Sequence, residues 1–589
     1  MELNWNLTYF YENDGAWESD YQKLDAMING FEDFKGKLND FNTFKSYHLY
    51  EEQFLNLLYR VYPYAHLGSD LNLKDTTKSN QNQRMSILLS KLGQATSYVS
   101  PELIALGEEK VLDWASNDDF LKAYVFPFKK LFRGQKHVLS EVEETLLANF
   151  SVIRSIPTQL YQSLAIIDRT NETVTLSTGQ TVTVSQANYT SLIEESQNPL
   201  DRQLIFESLY KRYKDNKAAF ANTYNLVLQQ RAANYKSRKY ASSLEAALDG
   251  NNIPVSVFHN LKDTVYENTD VIKRYIALRK KHLGLKEYHT YDRFLKLAKS
   301  DKKYPYAEAK TLFLDSIKDF DSEFVLKQTE AIADGFVDVL PKDGKRTGAY
   351  SSGFYGFHPF ILLNHNETLD SVFTLAHEAG HSAHTLFSNE NQPMAIADYT
   401  IFVAEIASTF NEHVLLEHML KKASTKEEKI VLLESAIDGI MGTFIRQTLF
   451  ATYEFEANQL VAEGKPINDE VLSKIMIDLY EHYYGLDITK ENGKELVWAY
   501  IPHLFQTPFY VYQYATSYSA SLKIYEDVKN NVPHAMEKYV GLLKSGGSDY
   551  PVNQAAAAGV DLNSKEPFLA VINHFSYLIN LLEETLKQW

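Results

Sequence analysis

Cysteine is absent from the 589-residue chain, and that single gap closes several routes. No disulfide framework, thiol nucleophile, iron–sulfur cluster or Cys-ligated zinc can be built, so any metal must be held by His, Asp or Glu. Glycine and proline are scarce, 25 and 16 residues, which favours long helices over turn-rich sheets. Basic charge is in deficit. The 59 Lys and Arg against 76 Asp and Glu leave a formal −17, the wrong balance for a nucleic-acid binder, whose affinity comes from cation–phosphate contacts. No run approaches the roughly 18 uncharged apolar residues of a membrane helix. The start, Met1-Glu2-Leu3-Asn4-Trp5-Asn6, shows neither the basic nor the apolar region of a leader. The amphipathic end, Leu578 to Trp589, offers no lipidation cysteine. The expectation is an acidic cytoplasmic protein with no membrane and no nucleic-acid partner, long enough to bury a sizeable core without staples.

What is present reads mostly as helix. Leu200–Tyr240, Val255–Arg279 and Ala307–Ala333 carry apolar residues at helical spacing. Ser140 followed by Glu143 is a capping box ahead of Leu146 and Leu147. Strand signals are few. Thr173–Leu176 and Thr181–Val184 alternate β-branched residues around a turn containing Gly179 and predict a hairpin. Phe357–Asn364 predicts a second strand, which Pro359 confines to a sheet edge or a strand start. The polar stretch Ala187–Pro199 suggests a boundary, with an N-terminal helical lobe over 1–195 and a second domain over 196–589.

One motif carries sharp chemistry: His377-Glu378-Ala379-Gly380-His381. Residues i and i+4 share a helix face, so both imidazoles can reach one ion. Glu378 then sits beside the open coordination position, where it can move a proton. Gly380 is unexpected in an ordinary helix interior, where it costs about 1 kcal/mol against Ala; it makes sense if another backbone or a substrate comes close. A catalytic zinc needs a third protein ligand. A third His six residues on would serve, but that position is Phe387. The alternative is a Glu on a following helix, and Glu405, 24 residues beyond His381, fits after a loop containing Gln392-Pro393. Glu412, seven residues later on the same face, is suited to orienting a ligand His. His384 lies one turn past His381 and reads as packing or support, because three ligands on one helix would crowd the ion.

These residues, with Gly348-Ala349-Tyr350-Ser351, His358-Pro359-Phe360 and Thr374 to His384, resemble the thimet oligopeptidase superfamily of zinc endopeptidases. The run Val403 to Glu412, then Phe509 to Thr516 and Ser545-Gly546-Gly547-Ser548, is similar to oligoendopeptidase F in particular. The resemblance spans essentially the whole chain. It implies a mainly α, two-lobed zincin-type body with a deep central channel and a small sheet beside the active-site helix. It implies one Zn2+ on His377, His381 and Glu405, with Glu378 as general base and short unfolded oligopeptides as substrates. It also implies a His and one or more Tyr that steady the oxyanion; His503 and Tyr510 are the first choices, with Tyr512, Tyr514 and Tyr518 nearby. A spacing of four puts Tyr510, Tyr514 and Tyr518 on one face if that segment is helical. The family usually carries a larger residue than Ala379 at that position of the motif. Phe357–Asn364 would be the edge strand that pairs with an extended substrate.

Two other functions compete. A carboxypeptidase would need a cation for the substrate's free C-terminus, for which Arg346 is the visible candidate. A catalytically silent peptide-binding protein would have no chemical reason to keep Glu378.

Overall fold

The computed structural model describes residues 3–587, without the side chains of residues 141, 145, 148, 151 and 152. Met1-Glu2 and Gln588-Trp589, which entered the leader and C-terminal readings, lie outside the described residues. The fold is mainly helical, with one two-stranded and one three-stranded sheet among the described residues. No helix among them is long and apolar enough to cross a membrane. The expected helices are present, each broken where the chain turns: Pro199–Asp215 and Lys217–Ser237, Val255–Glu267 and Asp270–His282, Tyr306–Ile317 and Ser322–Ala331.

Contacts divide the chain into two compact units, each assembled from three segments. The first comprises Met1–Lys136, Lys302–Met419 and Ile524–Val560; the second comprises His137–Asp301, Leu420–Lys523 and Asp561–Trp589. This partition does not follow the 195/196 boundary drawn from the sequence. The polar stretch around that boundary folds into a helix, Tyr189–Glu195, that buries Tyr189 and Ile193 within the second unit.

In the first unit, β3 (Val337–Asp338), β4 (Tyr350–Phe354) and β5 (Phe357–Leu362) form a sheet in the order β3-β5-β4. The sheet is anchored by the N-terminus: the Trp5 indole N–H donates to the Ile361 carbonyl at 2.8 Å, and its ring meets Phe360 edge-on at 5.8 Å. Pro359 was expected to place β5 at a sheet edge or to stand at a strand start; β5 is the central strand, with Pro359 its third residue. The register explains why. Ser352 pairs with Phe360 and Phe354 with Phe357, so two residues of β5, His358 and Pro359, lie opposite the single residue Gly353. That irregularity removes Pro359 from the ladder, where its missing N–H would otherwise cost a bond. The free edge belongs to β4.

The second unit holds the hairpin of β1 (Thr173–Thr175) and β2 (Thr181–Thr183), paired antiparallel with Val174 opposite Val182. Gly179 turns it at φ +83°. The capping box also forms: Ser140 N–H donates to Glu143 Oε2 at 3.0 Å and Glu143 N–H to Ser140 Oγ at 3.4 Å.

Candidate active site

Two helices of the first unit carry the site. The histidine helix, Leu369–Asn391, is capped by the Thr368 side chain, which accepts from Ser371 N–H, with Asp370 in its first turn. The helix buries Val372, Leu375, Ala379, Ala383 and Phe387 on one face, which turns His377 and His381 the other way. Ala379 is fully buried, so a small side chain suits the packing there. After Gln392-Pro393 and a short turn, the glutamate helix, Ile401–Lys422, returns with Phe402, Ile406 and Phe410 buried.

The two helices cross at Gly380. A Cβ there would lie 2.6 Å from the Ala407 carbonyl oxygen and 2.7 Å from Ser408 Cα, both backbone atoms that cannot swing aside. The close approach inferred for this glycine is therefore made by the helix that bears Glu405. Asn411 fastens the same crossing by donating from Nδ2 to the Ala376 carbonyl at 2.9 Å. Gly380→Ala is expected to force the helices apart and lower stability by about 1–3 kcal/mol, read as a fall in Tm and in zinc retained after dialysis. An unchanged Tm would mean the crossing has room to spare.

At the crossing, one donor atom from each of His377, His381 and Glu405 lies within 4.8 Å of the others. The two histidine Nε2 atoms are 3.2 Å apart, and Glu405 Oε2 is 3.6 Å from His377 Nε2 and 3.9 Å from His381 Nε2. A tetrahedral ion with bonds of about 2.0–2.1 Å separates its donors by roughly 3.3 Å, so the set fits zinc, with the carboxylate a few tenths of an ångström outside. The three side chains keep 26%, 17% and 22% of their surface, which leaves one side open. His377 Nδ1 is 2.5 Å from Glu412 Oε1, the carboxylate–histidine arrangement that fixes a ligand ring. Burial works against a charged His377, but Glu412 outweighs it and holds the pKa up at about 9. Burial and the facing His377 push His381 well down.

Glu378 lines the same cavity of about 450 Å³. It is only 6% exposed, and its Oε2 is buried without a hydrogen-bond partner. Burial pushes its pKa up to about 7, with the Glu405 and Glu412 charges adding and His377 opposing. β4 forms the opposite wall: Ser351 Oγ and Ser382 Oγ are 2.7 Å apart, and a Cβ on Gly353 would meet Thr385 Cγ2 at 2.3 Å.

His384 is packing. It is 1% exposed and stacks on Tyr399 at 3.6 Å, with burial lowering its pKa to about 3. Arg346 is paired with Asp70 at 3.1 Å and does not line the cavity. Asp398 and Tyr399, which do line it, went unnoticed in the sequence; their place in the loop joining the two ligand helices was the available signal. That loop explains a further motif. A Cβ on Gly546 would lie 2.4 Å from the Ile396 carbonyl oxygen and one on Gly547 2.2 Å from that of Asp398, so the glycine pair buttresses the loop by close backbone approach.

His503 and Tyr510 belong to the second unit. There they form one cluster with Tyr514: the His503 and Tyr510 rings are 6.0 Å apart, and the Tyr510 and Tyr514 rings 5.4 Å. The shared helical face expected for Tyr510, Tyr514 and Tyr518 holds only for the last two, because the helix begins at Tyr512. Tyr510 is delivered by a turn in which Phe509 takes φ +56°. The Phe509 N–H is held by Glu454 Oε1 at 2.6 Å. Tyr512 is 2% exposed and packs on Phe258, which removes it from the candidates.

The pattern of Peptidase family M3 matches residues 192–574, and that of Oligopeptidase F matches residues 102–170. The chain is 34% identical to oligopeptidase PepF of Bacillus subtilis over 100% of its own length and 88% of that protein's. It is 35% identical to the group B oligopeptidase PepB of Streptococcus agalactiae, over 100% and 98%. The crystal structure of oligoendopeptidase-F from Enterococcus faecium superposes with a TM-score of 0.75 at 28% identity, covering 98% of this chain and 100% of that one. With the pattern of Peptidase family M3 over most of its residues and likeness along its full length, the chain belongs to peptidase family M3, among the oligoendopeptidase F metalloendopeptidases.

Proposed function

We propose that the protein is a cytoplasmic zinc-dependent endopeptidase that cuts internal bonds of short, unfolded oligopeptides and serves peptide catabolism. The observation that carries this reading is the convergence of His377, His381 and Glu405 donors within 4.8 Å in the cavity that Glu378 also lines. A zinc ion held by these three residues would polarise the scissile carbonyl and acidify the attacking water. Glu378 takes the proton from that water and returns it to the leaving amine. Its burial, which lifts its pKa toward 7, suits both halves of the transfer, although a divalent cation beside it would pull the value down again. Glu412 holds His377 in the tautomer that presents Nε2. β4, free on one edge, offers backbone N–H and C=O groups to an extended peptide, a mode of binding that tolerates many sequences. His503 and Tyr510 are the donors assigned to the developing oxyanion, with Tyr514 as the neighbour that packs them.

The engagement of Arg346 by Asp70 speaks against a carboxypeptidase, because the cation that would anchor a C-terminus is already neutralised. The test is product mapping by mass spectrometry on a ten-residue peptide blocked at both ends, with and without a chelator. Internal cleavage that stops on chelation and returns with zinc is expected. Cleavage that requires a free terminus, or that survives complete chelation, would overturn the reading.

A further inference from the structure

A second cavity, of about 340 Å³, lies wholly within the second unit. Four cations line it, Arg279, Arg293, Arg446 and Lys494, against one carboxylate, Asp438. Arg279 is fully engaged: it donates to Glu434 Oε1 at 2.5 Å, to the Tyr288 hydroxyl at 3.2 Å and to the Arg293 carbonyl at 3.0 Å. Asp438 accepts from the Tyr275 hydroxyl at 2.9 Å. Glu491, whose charge acts on Lys494, takes the Thr290 N–H at 2.7 Å and its hydroxyl at 2.5 Å.

The remaining cations have no such partners. Among the described residues, the Arg293 and Arg446 guanidinium groups make no ion pair and no hydrogen bond; they lie only over the Phe294 and Phe450 rings, at 4.4 Å and 5.2 Å. Each carries five N–H donors. Lys494 is 9% exposed; its ammonium reaches the Tyr210 hydroxyl at 3.4 Å and lies over the Tyr210 and Tyr480 rings, each at 5.3 Å. Burial holds its pKa down to about 7; Glu491 opposes this, while Arg293 and Arg446 push it lower. Arg293 is exposed, and its side chain lines the cavity.

The backbone makes room for this arrangement. The helix Lys426–Ile440 widens into a π-turn, Met441–Ile445, before the helix Arg446–Ala462. The turn brings Met441 and Gly442 into the wall and starts the next helix on Arg446; such widened turns recur at functional sites. Tyr288, Tyr480 and Tyr484 complete the wall. Burial raises the pKa of all three hydroxyls, so they remain donors at neutral pH. Cations gathered with a single carboxylate in the lining, Asp438, repel one another, and a bound anion removes that cost.

We propose that this cavity binds a small oxyanion of two or more negative charges, held by Arg293, Arg446 and Lys494 with tyrosine hydroxyls as further donors. Phosphate and carboxylate groups share the required chemistry. The inference concerns the second unit alone and stands or falls independently of the peptidase chemistry.

The test is thermal unfolding and calorimetry of the full chain in low-salt buffer, with inorganic phosphate, succinate, or sodium chloride at matched ionic strength. A saturable rise in Tm with phosphate or succinate and not with chloride is expected, and whichever dianion binds more tightly names the source. The double substitution Arg293→Met/Arg446→Met should weaken binding at least about 100-fold, since it removes two charge-assisted contacts. In anion-free buffer that variant should unfold at the same or a higher temperature than the parent, because it relieves like-charge repulsion. Equal responses to chloride and the dianions, an undiminished response in the double variant, or a variant that fails to fold would each overturn the proposal.

Discussion

Replacing Glu378 with glutamine is expected to lower kcat on a quenched ten-residue peptide by about 10³-fold, within the range that a positioned general base contributes. Glutamine keeps the shape of the side chain and cannot accept a proton. Because Glu378 is 6% exposed, with one carboxylate oxygen buried and unpartnered, the packing around it should hold. KM should change little, since the lost interaction belongs to the transition state. Zinc content should stay near one per chain, because the His377, His381 and Glu405 donors and the Glu412 support are untouched. Steady-state kinetics together with elemental analysis read all three quantities; turnover equal to that of the parent would refute the assignment of the base.

Glu405→Ala should abolish activity by a different route. Removing the carboxylate leaves two imidazoles, 3.2 Å apart at Nε2, with no third donor and no negative charge to offset the ion. Changing a residue that merely supports a ligand weakens metal binding by about 10–100-fold, so loss of a ligand should cost at least about 100-fold. The variant should lose zinc on dialysis and recover part of its activity in excess zinc, which Glu378→Gln cannot do. The two dead enzymes are thus told apart by metal content. Should Glu405→Ala retain stoichiometric zinc through dialysis, another residue completes the site.

The grouping of the candidate metal ligands was legible in the sequence because its logic is local. The i, i+4 spacing of His377 and His381 follows from helix geometry alone, and Glu405 from the need for a third donor on a returning helix. Gly380 was readable as a demand for close approach, although only the fold identifies the Ala407–Ser408 backbone as the neighbour. The strand reading failed where a non-local fact decided. Pro359 argues for an edge by itself, but the bulge opposite Gly353 depends on the register of another strand, which no local pattern encodes. Tyr510 and Tyr512 could not be separated, because a helix start two residues away sends one to the core and the other to the His503 cluster. The cation-lined cavity was invisible for a related reason: Arg293, Arg446 and Lys494 come from segments far apart in the chain, and each alone reads as a surface charge.

The interleaving of the two units bears on how the protein is made. Both ligand helices are complete once synthesis passes residue 419, yet the Gly546–Gly547 buttress of the loop between them lies in the segment Ile524–Val560, which leaves the ribosome more than a hundred residues later. Domains tend to fold as units during synthesis, and this one cannot close on the first pass of the chain. A nascent chain therefore carries the two helices with the loop between them unsupported while the central stretch of the second unit, Leu420–Lys523, is still being translated. The loop between the two helices thus gains its glycine support only after the segment Leu420–Lys523 of the other unit has been made.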